Sequence, residues 1–303
     1  MNQKEKIKIN LFEKNQNIEI SGFYAFRINK FFPTHIDILI EYVKNQKEFN
    51  IFTQILLKKI NNKNIEYLSY ILKYAKSKGF VLPKINNKKH IELIKLSETV
   101  DPIQLGPDRF GPRIANCISY TREDINVIFI QNISDLITYF NLYLMNTDFI
   151  GIDTEWRGSL DYNIKTETAI MQLSEFKGKN ILILDMMELI KDNSFIEIFQ
   201  KLFINKKFIG FDIENDLINL PNELNLFFRE KTTIIDIKKL YEIKYMEKCP
   251  AFANVCEKII GKPLCKYEQC SNWERRPLRE SQLHYAALDA LLCCIVFKSF
   301  IEK

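Results

Sequence analysis

The sequence predicts an α/β fold, a mixed sheet flanked by helices, with an all-α domain in front of it. Residues 35–78 carry apolar positions three and four apart, which is the pattern of amphipathic helices. From about residue 121 short apolar runs alternate with helical ones, which is typical of a sheet covered by helices. Between the two, DPIQLGPDRFGPR carries three prolines and two glycines and indicates a linker. The predicted domains are therefore a helical one over 1–100, a linker over 101–120 and an α/β domain over 121–303.

The first domain is predicted to consist of short helices with a basic surface. Its helical segments are HIDILIEYVKNQ, FNIFTQILLKKI and IEYLSYILKYAKSKGF, and Gly79 and Pro83 end the last of them. Residues 1–100 hold 18 Lys and Arg against 9 Asp and Glu, a net charge of +9, which leaves 25 against 29 for the rest. Such asymmetry suggests a segment that faces a polyanion. A solvated Lys- and Asn-rich surface is the alternative.

The second domain is predicted from the order of its strands and helices. INVIFI is a strand and ISDLITYFNLYLM a helix, and three strand candidates follow in succession: FIGIDTEW, TAIMQLSE and NILILDMM. FIEIFQKLF is a helix, FIGFDI and TTIIDI are strands, and helical segments continue to the C-terminus. Three consecutive strands suggest a meander that feeds a mixed sheet.

Composition narrows the class of protein. With 47% hydrophobic and 27% charged residues the chain is expected to be globular, and no apolar run approaches the roughly 20 residues of a membrane span. MNQKEKIKIN has no apolar stretch behind its lysines, so we expect no secretory signal. Seven cysteines without CxxC spacing fit a reducing compartment. We expect a cytoplasmic protein, with the nucleus as the alternative, and no membrane partner.

Four acidic residues stand at unusual positions. Asp153 and Glu155 lie one residue apart in FIGIDTEW, so they share a face of the strand although their charges repel. Asp216 follows the strand FIGFDI, and Asp289 interrupts the apolar helix SQLHYAALDALLCC. Such carboxylates converge only if cations hold them, and hard oxygen ligands select Mg²⁺ or Mn²⁺. Two ions roughly 4 Å apart catalyse in-line phosphoryl displacement, so the set predicts a nuclease or another phosphoryl-transfer enzyme.

These residues carry a resemblance to a known family. FIGIDTEW resembles the first motif of the DEDD 3′-5′ exonucleases, NDLINL with Asp216 the second, and YAALD the third in its tyrosine form. Ten residues match the ribonuclease D-like pattern in order: Lys266, Ser271, Trp273, Arg276, Pro277, Leu278, Gln282, Tyr285, Ala286 and Asp289. SNWERRPLRESQLHYAALDA with DTEW is most similar to the Nibbler-like exonucleases, whose relatives trim the 3′ ends of small RNAs. The resemblance covers roughly residues 120–303.

The resemblance implies a ribonuclease H-like exonuclease domain that removes 3′ nucleotides as nucleoside 5′-monophosphates with two Mg²⁺ or Mn²⁺ ions. The implied metal ligands are Asp153, Glu155, Asp216 and Asp289, with Tyr285 as the fifth catalytic residue. The resemblance implies single-stranded nucleic acid as the binding partner, with RNA preferred to DNA. It also implies an Argonaute-type protein that presents a small RNA. A nuclease-dead binding module and a DNA exonuclease are the alternatives. One departure is Asp212, where many relatives have Asn; it adds negative charge and makes the site more dependent on its metals.

Helix geometry selects between two candidate residues in HYAALD. At about 100° per residue, Tyr285 lies about 40° from Asp289 around the helix, and His284 lies about 140° away. Pro277 suits a helix start and Glu280 its first turn, which places His284 already inside the helix. Tyr285 is therefore expected to position the attacking water, and His284 to be an exposed helix residue.

Further residues are candidates for substrate binding: Trp156, Lys266, Trp273 and Arg276. The two tryptophans suit stacking on a terminal base, with core packing as the alternative. The arginines at 275, 276 and 279 suit phosphate contacts, with pairing to Glu274 and Glu280 as the alternative. Gln172 and Leu173 are expected to be structural.

Overall fold

The computed structural model describes residues 17–30, 32–33, 35–103, 110–157 and 166–302. These residues form two compact units, one within residues 17–103 and the other made of residues 110–157 and 166–302. The division falls inside the predicted linker, of which residues 104–109 lie outside the described residues. Residues 110–120 of that segment are packed on the second unit, because Ile118 is buried in its core and Phe110 contacts the ring of His284.

The first unit is helical, as predicted. Its described elements are α1 (residues 17–30), α2 (Ile36–Glu41), α3 (Gln46–Leu57), a 3₁₀ turn (Asn62–Asn64), α4 (Ile65–Ser77) and α5 (Lys88–Ser97). The core holds Tyr24 of α1, Phe49 and Phe52 of α3, and Leu68 of α4. Helix α5 is not among the helical segments that the sequence predicted for this domain. The helix buries only two residues, so its apolar stripe is weak.

The second unit contains a six-stranded mixed sheet, and the predicted α/β class is confirmed. Its elements are β1 (Asn126–Ile130), α6 (Ile133–Tyr139, continued by the π-helical turn Phe140–Leu144), β2 (Phe149–Trp156), β3 (Thr168–Glu175), β4 (Asn180–Asp185), α7 (Met186–Leu189), α8 (Phe195–Phe203), β5 (Lys207–Gly210), α9 (Glu214–Leu217), α10 (Asn222–Lys231), β6 (Thr233–Asp236), α11 (Ile237–Tyr245), α12 (Phe252–Ile260) and α13 (Glu280–Ile301). The strand order is β1-β4-β3-β2-β5-β6. Strands β2, β3 and β4 form the predicted antiparallel meander, and the other pairs are parallel.

Alternation along the strands supplies a core to each face of the sheet. In β3, Ile170 packs with α13, whereas Met171 and Leu173 pack on the opposite face with α6, α8 and α10. On that face Phe195, Phe199 and Phe203 occur every fourth residue of α8 and are all fully buried. The sheet is therefore covered on both sides, which explains the continuous apolar runs of its strands.

Helix α13 is the central helix of the second unit. It contacts β2, β3, β4 and β5, and fifteen of its 22 residues are buried. Among the described residues, α13 is the one helix that is long enough and apolar enough to cross a membrane, by length and composition. The expectation that no apolar run approaches that length was therefore wrong. In the most apolar 18-residue stretch of α13, 72% is buried inside the protein, which is the environment of a core helix.

Candidate active site

Strand β2 and helix α13 meet at a glycine, and this contact brings the acidic residues together. Gly151, Asp153 and Glu155 alternate along β2 and share the face that α13 covers. A Cβ atom on Gly151 would lie 2.2 Å from the backbone oxygen of Ala290, so only glycine permits this approach. Because Ala290 follows Asp289, the same contact places the helix carboxylate beside those of the strand.

Three carboxylates form the centre of the site. Asp153, Glu155 and Asp289 each offer an oxygen atom within 4.8 Å of the others. Glu155 and Asp289 are buried and Asp153 is partly so. Burial and the neighbouring carboxylates raise the pKa of Asp153 and of Glu155 well above the usual range. Burial likewise raises the pKa of Asp289. The three groups ionise together only when cations replace their protons.

Asp216 lies on the short helix α9, directly after β5, and is 9% exposed. Burial, followed by the charges of Asp289 and Asp212, raises the pKa of Asp216 to about 8. Its oxygens are not part of the group of three. The structure thus brings Asp216 close enough to be influenced by the cluster, at a greater distance than the other acids.

Tyr285 lies one helical turn before Asp289, and the carboxylate of Asp289 acts on the Tyr285 hydroxyl. The Tyr285 hydroxyl also accepts a hydrogen bond of 3.3 Å from Lys266 Nζ, which is 3.7 Å from Asp289 Oδ1. Burial, with the charges of the carboxylates, raises the pKa of Tyr285 well above its ordinary value. The phenol therefore keeps its proton and is available as a hydrogen-bond donor at the acidic cluster.

His284 is buried, so the expectation that it is an exposed helix residue was wrong. It is 2% exposed, its Nε2 accepts a 3.3 Å hydrogen bond from the Tyr120 amide, and its ring meets Phe110 edge-on at 4.8 Å. The segment that covers it comes from residues 110–120, which the sequence analysis regarded as a linker. Burial lowers the pKa of His284 to about 4, so it is neutral.

The loop before α13 is fixed by a buried polar network around Glu268. The Glu268 carboxylate accepts hydrogen bonds from Ser271 Oγ (2.9 Å), Arg279 (2.7 Å) and Ser281 Oγ (2.7 Å). Gln282 donates to Ser271 Oγ at 2.9 Å and accepts from the Arg279 amide. Helix α13 begins at Glu280, within this network, and not at Pro277. Several residues of the family pattern therefore hold the helix that carries Tyr285 and Asp289.

Two of the residues predicted to bind substrate, Arg276 and Trp273, instead contact other residues of the protein. Arg276 binds Asp185 through Nε and Nη2 of its guanidinium, at 2.7 and 2.6 Å, and donates to the Trp273 and Ala169 carbonyls. Trp273 is fully buried and lies 6.0 Å from the Tyr285 ring. This arrangement favours positioning roles over phosphate binding or base stacking. The alternative, pairing of the loop arginines with acids, is observed with other partners than those named: Arg276 pairs with Asp185 and Arg279 with Glu268. Glu274 and Glu280 pair with Arg157 and Arg122.

The other two residues predicted to bind substrate, Lys266 and Trp156, are partly exposed to solvent. The Lys266 side chain is 32% exposed although its ammonium group faces Asp289. Trp156 is partly buried and follows an irregularity in the β2–β3 register at the end of the strand. Their roles in substrate binding stay predictions.

The charge of Asp212 is balanced by that of Lys238, and the carboxylate of Asp236 holds the backbone of both residues; neither was singled out in the sequence. Asp212 has a left-handed backbone with φ of 54°, a conformation that Asn and Asp tolerate best among residues with a Cβ. Its carboxylate lies 2.9 Å from Lys238 Nζ, and the amides of both residues donate to Asp236 Oδ1. Asp236 was recognisable in the sequence as an acid that ends a strand and caps the next helix.

The residues present fit a hard divalent cation. All three central ligands are carboxylate oxygens, the donors that such ions prefer. On the same face, the amide of Gln172, opposite Asp153 in β3, is fully buried and has no hydrogen-bond partner in the described part of the chain. A buried unpaired amide beside crowded acids is typical of a site that takes up water or ions.

Comparison with known proteins agrees with this geometry. The sequence profile of a 3′-5′ exonuclease domain matches residues 128–303, more than half of the chain. The chain therefore belongs to the 3′-5′ exonuclease family, and the predicted family is confirmed.

Individual relatives match the same part of the chain. Exonuclease mut-7 of Caenorhabditis elegans is 32% identical over 174 residues, 51% of this chain and 19% of that protein. The exonuclease mut-7 homolog of Drosophila melanogaster is 26% identical over 210 residues, 62% of this chain and 33% of that protein. The crystal structure of the Aedes aegypti Nibbler EXO domain has the same fold, with a TM-score of 0.51 at 19% identity, over 62% of this chain and 92% of that one. The chain spans a fifth to a third of these two curated relatives.

Proposed function

We propose that this protein is a metal-dependent exoribonuclease that removes nucleotides from the 3′ end of single-stranded RNA and releases nucleoside 5′-monophosphates. The observation that carries the proposal is the group of three carboxylates within 4.8 Å, whose raised pKa values make it receptive to cations. Membership of the 3′-5′ exonuclease family gives the direction of the cut.

Each residue of the site has a proposed task. Asp153, Glu155 and Asp289 would hold two Mg²⁺ or Mn²⁺ ions, and Asp216 would assist directly or through water. When bound, such ions lower the pKa of a water molecule and stabilise the leaving oxygen. Tyr285 keeps its proton next to Asp289, so its hydroxyl orients the attacking water.

Lys266 is proposed to contact the phosphate of the 3′-terminal nucleotide. Its ammonium group faces the acidic cluster at 3.7 Å from Asp289, and its side chain still reaches the solvent. Trp156, the last residue of β2, is proposed to stack on the terminal base.

RNA is proposed as substrate on the strength of the resemblance to the Nibbler-like exonucleases. An Argonaute-type protein that presents a small RNA is the partner this resemblance implies. Seven free cysteines support a reducing compartment, so we propose the cytoplasm, with the nucleus as the alternative.

A denaturing gel with 5′-labelled single-stranded RNA and matching DNA tests the function. Wild type, Asp153→Ala and the exposed-site control Glu223→Gln are compared in Mn²⁺, Mg²⁺ and EDTA. We expect a ladder of 3′-shortened RNA that EDTA and Asp153→Ala abolish and that Glu223→Gln retains. RNA that is bound but never shortened would contradict the proposal and favour a nuclease-dead binding module. A ladder on DNA alone would make the protein a DNA exonuclease.

A further inference from the structure

The first unit contains a groove whose composition points to a polyanion. Helices α1 and α3 and residues 84–90 enclose a space of about 620 Å³. Among the fourteen described residues that line it, three are lysines, one is histidine and five are amides, and none is Asp or Glu. The polar ones are Lys47, Lys58, Lys84, His90, Asn17, Asn50, Gln54, Asn86, Asn87 and Ser21.

Helix α3 separates its core face from its groove face. Phe49 and Phe52 are fully buried, while Lys47, Gln54 and Lys58 lie on the groove side at helical spacing. The one acid of this helix, Glu48, is turned into the core. There its carboxylate accepts hydrogen bonds from the Tyr24 hydroxyl at 2.8 Å and from the Lys44 amide at 3.1 Å. The helix therefore presents positive charge alone to the groove.

The opposite wall is held in place before any ligand arrives. Gln46 forms two hydrogen bonds with the backbone of Val81, at 2.6 and 2.8 Å, and Phe80 stacks on Phe49 at 5.2 Å. Residues 84–90 follow directly and lead into the first turn of α5, whose N-terminus carries the positive end of the helix dipole. A wall fixed in this way reduces the entropy that binding would cost.

We propose that this groove binds the sugar-phosphate backbone of single-stranded nucleic acid, as a site separate from the exonuclease centre. Lysines supply charge for phosphates, and amides supply donors and acceptors for phosphates and ribose hydroxyls. No Phe, Tyr or Trp is among the described lining residues, so the groove lacks a platform for base stacking and binds with little sequence preference. The inference rests on the proposed function only in taking RNA as the ligand.

Salt dependence of binding tests the groove. The full chain, in EDTA to prevent cleavage, is titrated into 5′-fluorescein-labelled oligouridylate at several NaCl concentrations. The groove variant is Lys47→Gln/Lys58→Gln/Lys84→Gln. The control variant, Lys63→Gln/Lys73→Gln/Lys76→Gln, removes the same charge from positions of the same unit outside the groove. Loss of three phosphate contacts should reduce the slope of log K against log salt by about 2, at about 0.7 for each contact on a single strand.

Each outcome bears on the groove. A reduced slope in the groove variant with a near-wild-type slope in the control supports the proposal, and equal slopes in both variants overturn it. A fluorescein-labelled polyglutamate peptide that binds more tightly than the oligouridylate, and through the same lysines, would assign the groove to an acidic protein segment instead.

A cleavage assay separates this proposal from the proposed function. The groove variant should shorten a five-nucleotide RNA at saturating concentration in Mn²⁺ as fast as wild type, because it retains every residue of the exonuclease centre. If wild type shortens no RNA while the salt slopes behave as expected, the proposed function fails and the groove stands. If cleavage occurs and the slopes are equal, the groove fails alone.

Discussion

Replacing Asp216 by Asn should change how the stability of the metal-free protein depends on pH. Asp216 has a pKa of about 8 in the folded protein, against an ordinary value of 3.8. Between these values the folded state binds a proton that the unfolded state has released, so stability falls as pH rises. Below pH 3.8 both states are protonated and above pH 8 neither is, so the slope is confined to that window. Asp216→Asn removes the contribution of this group to the slope, while the raised pKa values of Asp153, Glu155 and Asp289 keep the rest.

The size of the effect follows from the shift. About 4 pKa units at 1.36 kcal/mol each give an upper limit of roughly 5 kcal/mol between pH 4 and pH 8. The charge of Asp289 is the second cause of the shift, and proton uptake by that residue relieves the same repulsion. About half of the limit, ~2–3 kcal/mol, is therefore expected for Asp216 alone.

Urea unfolding followed by tryptophan fluorescence measures this effect in the intact chain. Both tryptophans, Trp156 and Trp273, lie in the second unit, so the signal reports the exonuclease domain. Wild type, Asp216→Asn and the exposed control Glu223→Gln are compared from pH 5 to pH 8 in EDTA. Added Mn²⁺ should flatten the wild-type slope because the cation replaces the proton. Equal slopes for wild type and Asp216→Asn would refute the reasoning.

Three further predictions follow from the site. Tyr285→Phe should lower kcat about 10²-fold without changing KM. His284→Ala should reduce thermal stability and leave kcat per folded molecule unchanged. The reverse pattern would assign the positioning of the attacking water to His284. Gly151→Ala should destabilise the domain by about 1–3 kcal/mol in urea, and its control Gly22→Ala, with open space around the new Cβ, should stabilise by ~0.5 kcal/mol. Arg276→Lys should cost about 3 kcal/mol with KM unchanged; a raised KM at unchanged stability would indicate phosphate binding.

The sheet was predictable because strand and helix periods are local properties of the sequence. FIEIFQKLF matched the bounds of α8 without error, and the three strand runs predicted the meander. Helix α5 was missed because two buried positions in ten residues produce little periodicity. Contacts distant in sequence were out of reach: nothing near Phe110 indicates that it covers His284, 174 residues later.

The acids of the site were predictable for a different reason. A carboxylate on an apolar helix or in a buried strand is costly, so Asp289 and Asp153 stand out without any structure. Their supporting residues do not stand out, because each is satisfied by a partner elsewhere in the chain. Arg276 looks like a phosphate ligand until Asp185, 91 residues earlier, is found bound to it. Sequence reasoning thus locates uncompensated charges better than compensated ones.

The same distinction shows how the domain tolerates its acidic centre. Asp212 adds a charge that Lys238 matches at 2.9 Å, and Asp185 is matched by Arg276, so these acids are compensated within the fold. At the centre, Lys266 is 3.7 Å from Asp289 and is a single positive charge beside several carboxylates. The cost of burying these carboxyl groups side by side is offset by the packing of α13 on β2 at Gly151. Cations that enter replace the protons that the carboxyl groups hold in the folded state, so metal binding and stability of the domain are coupled.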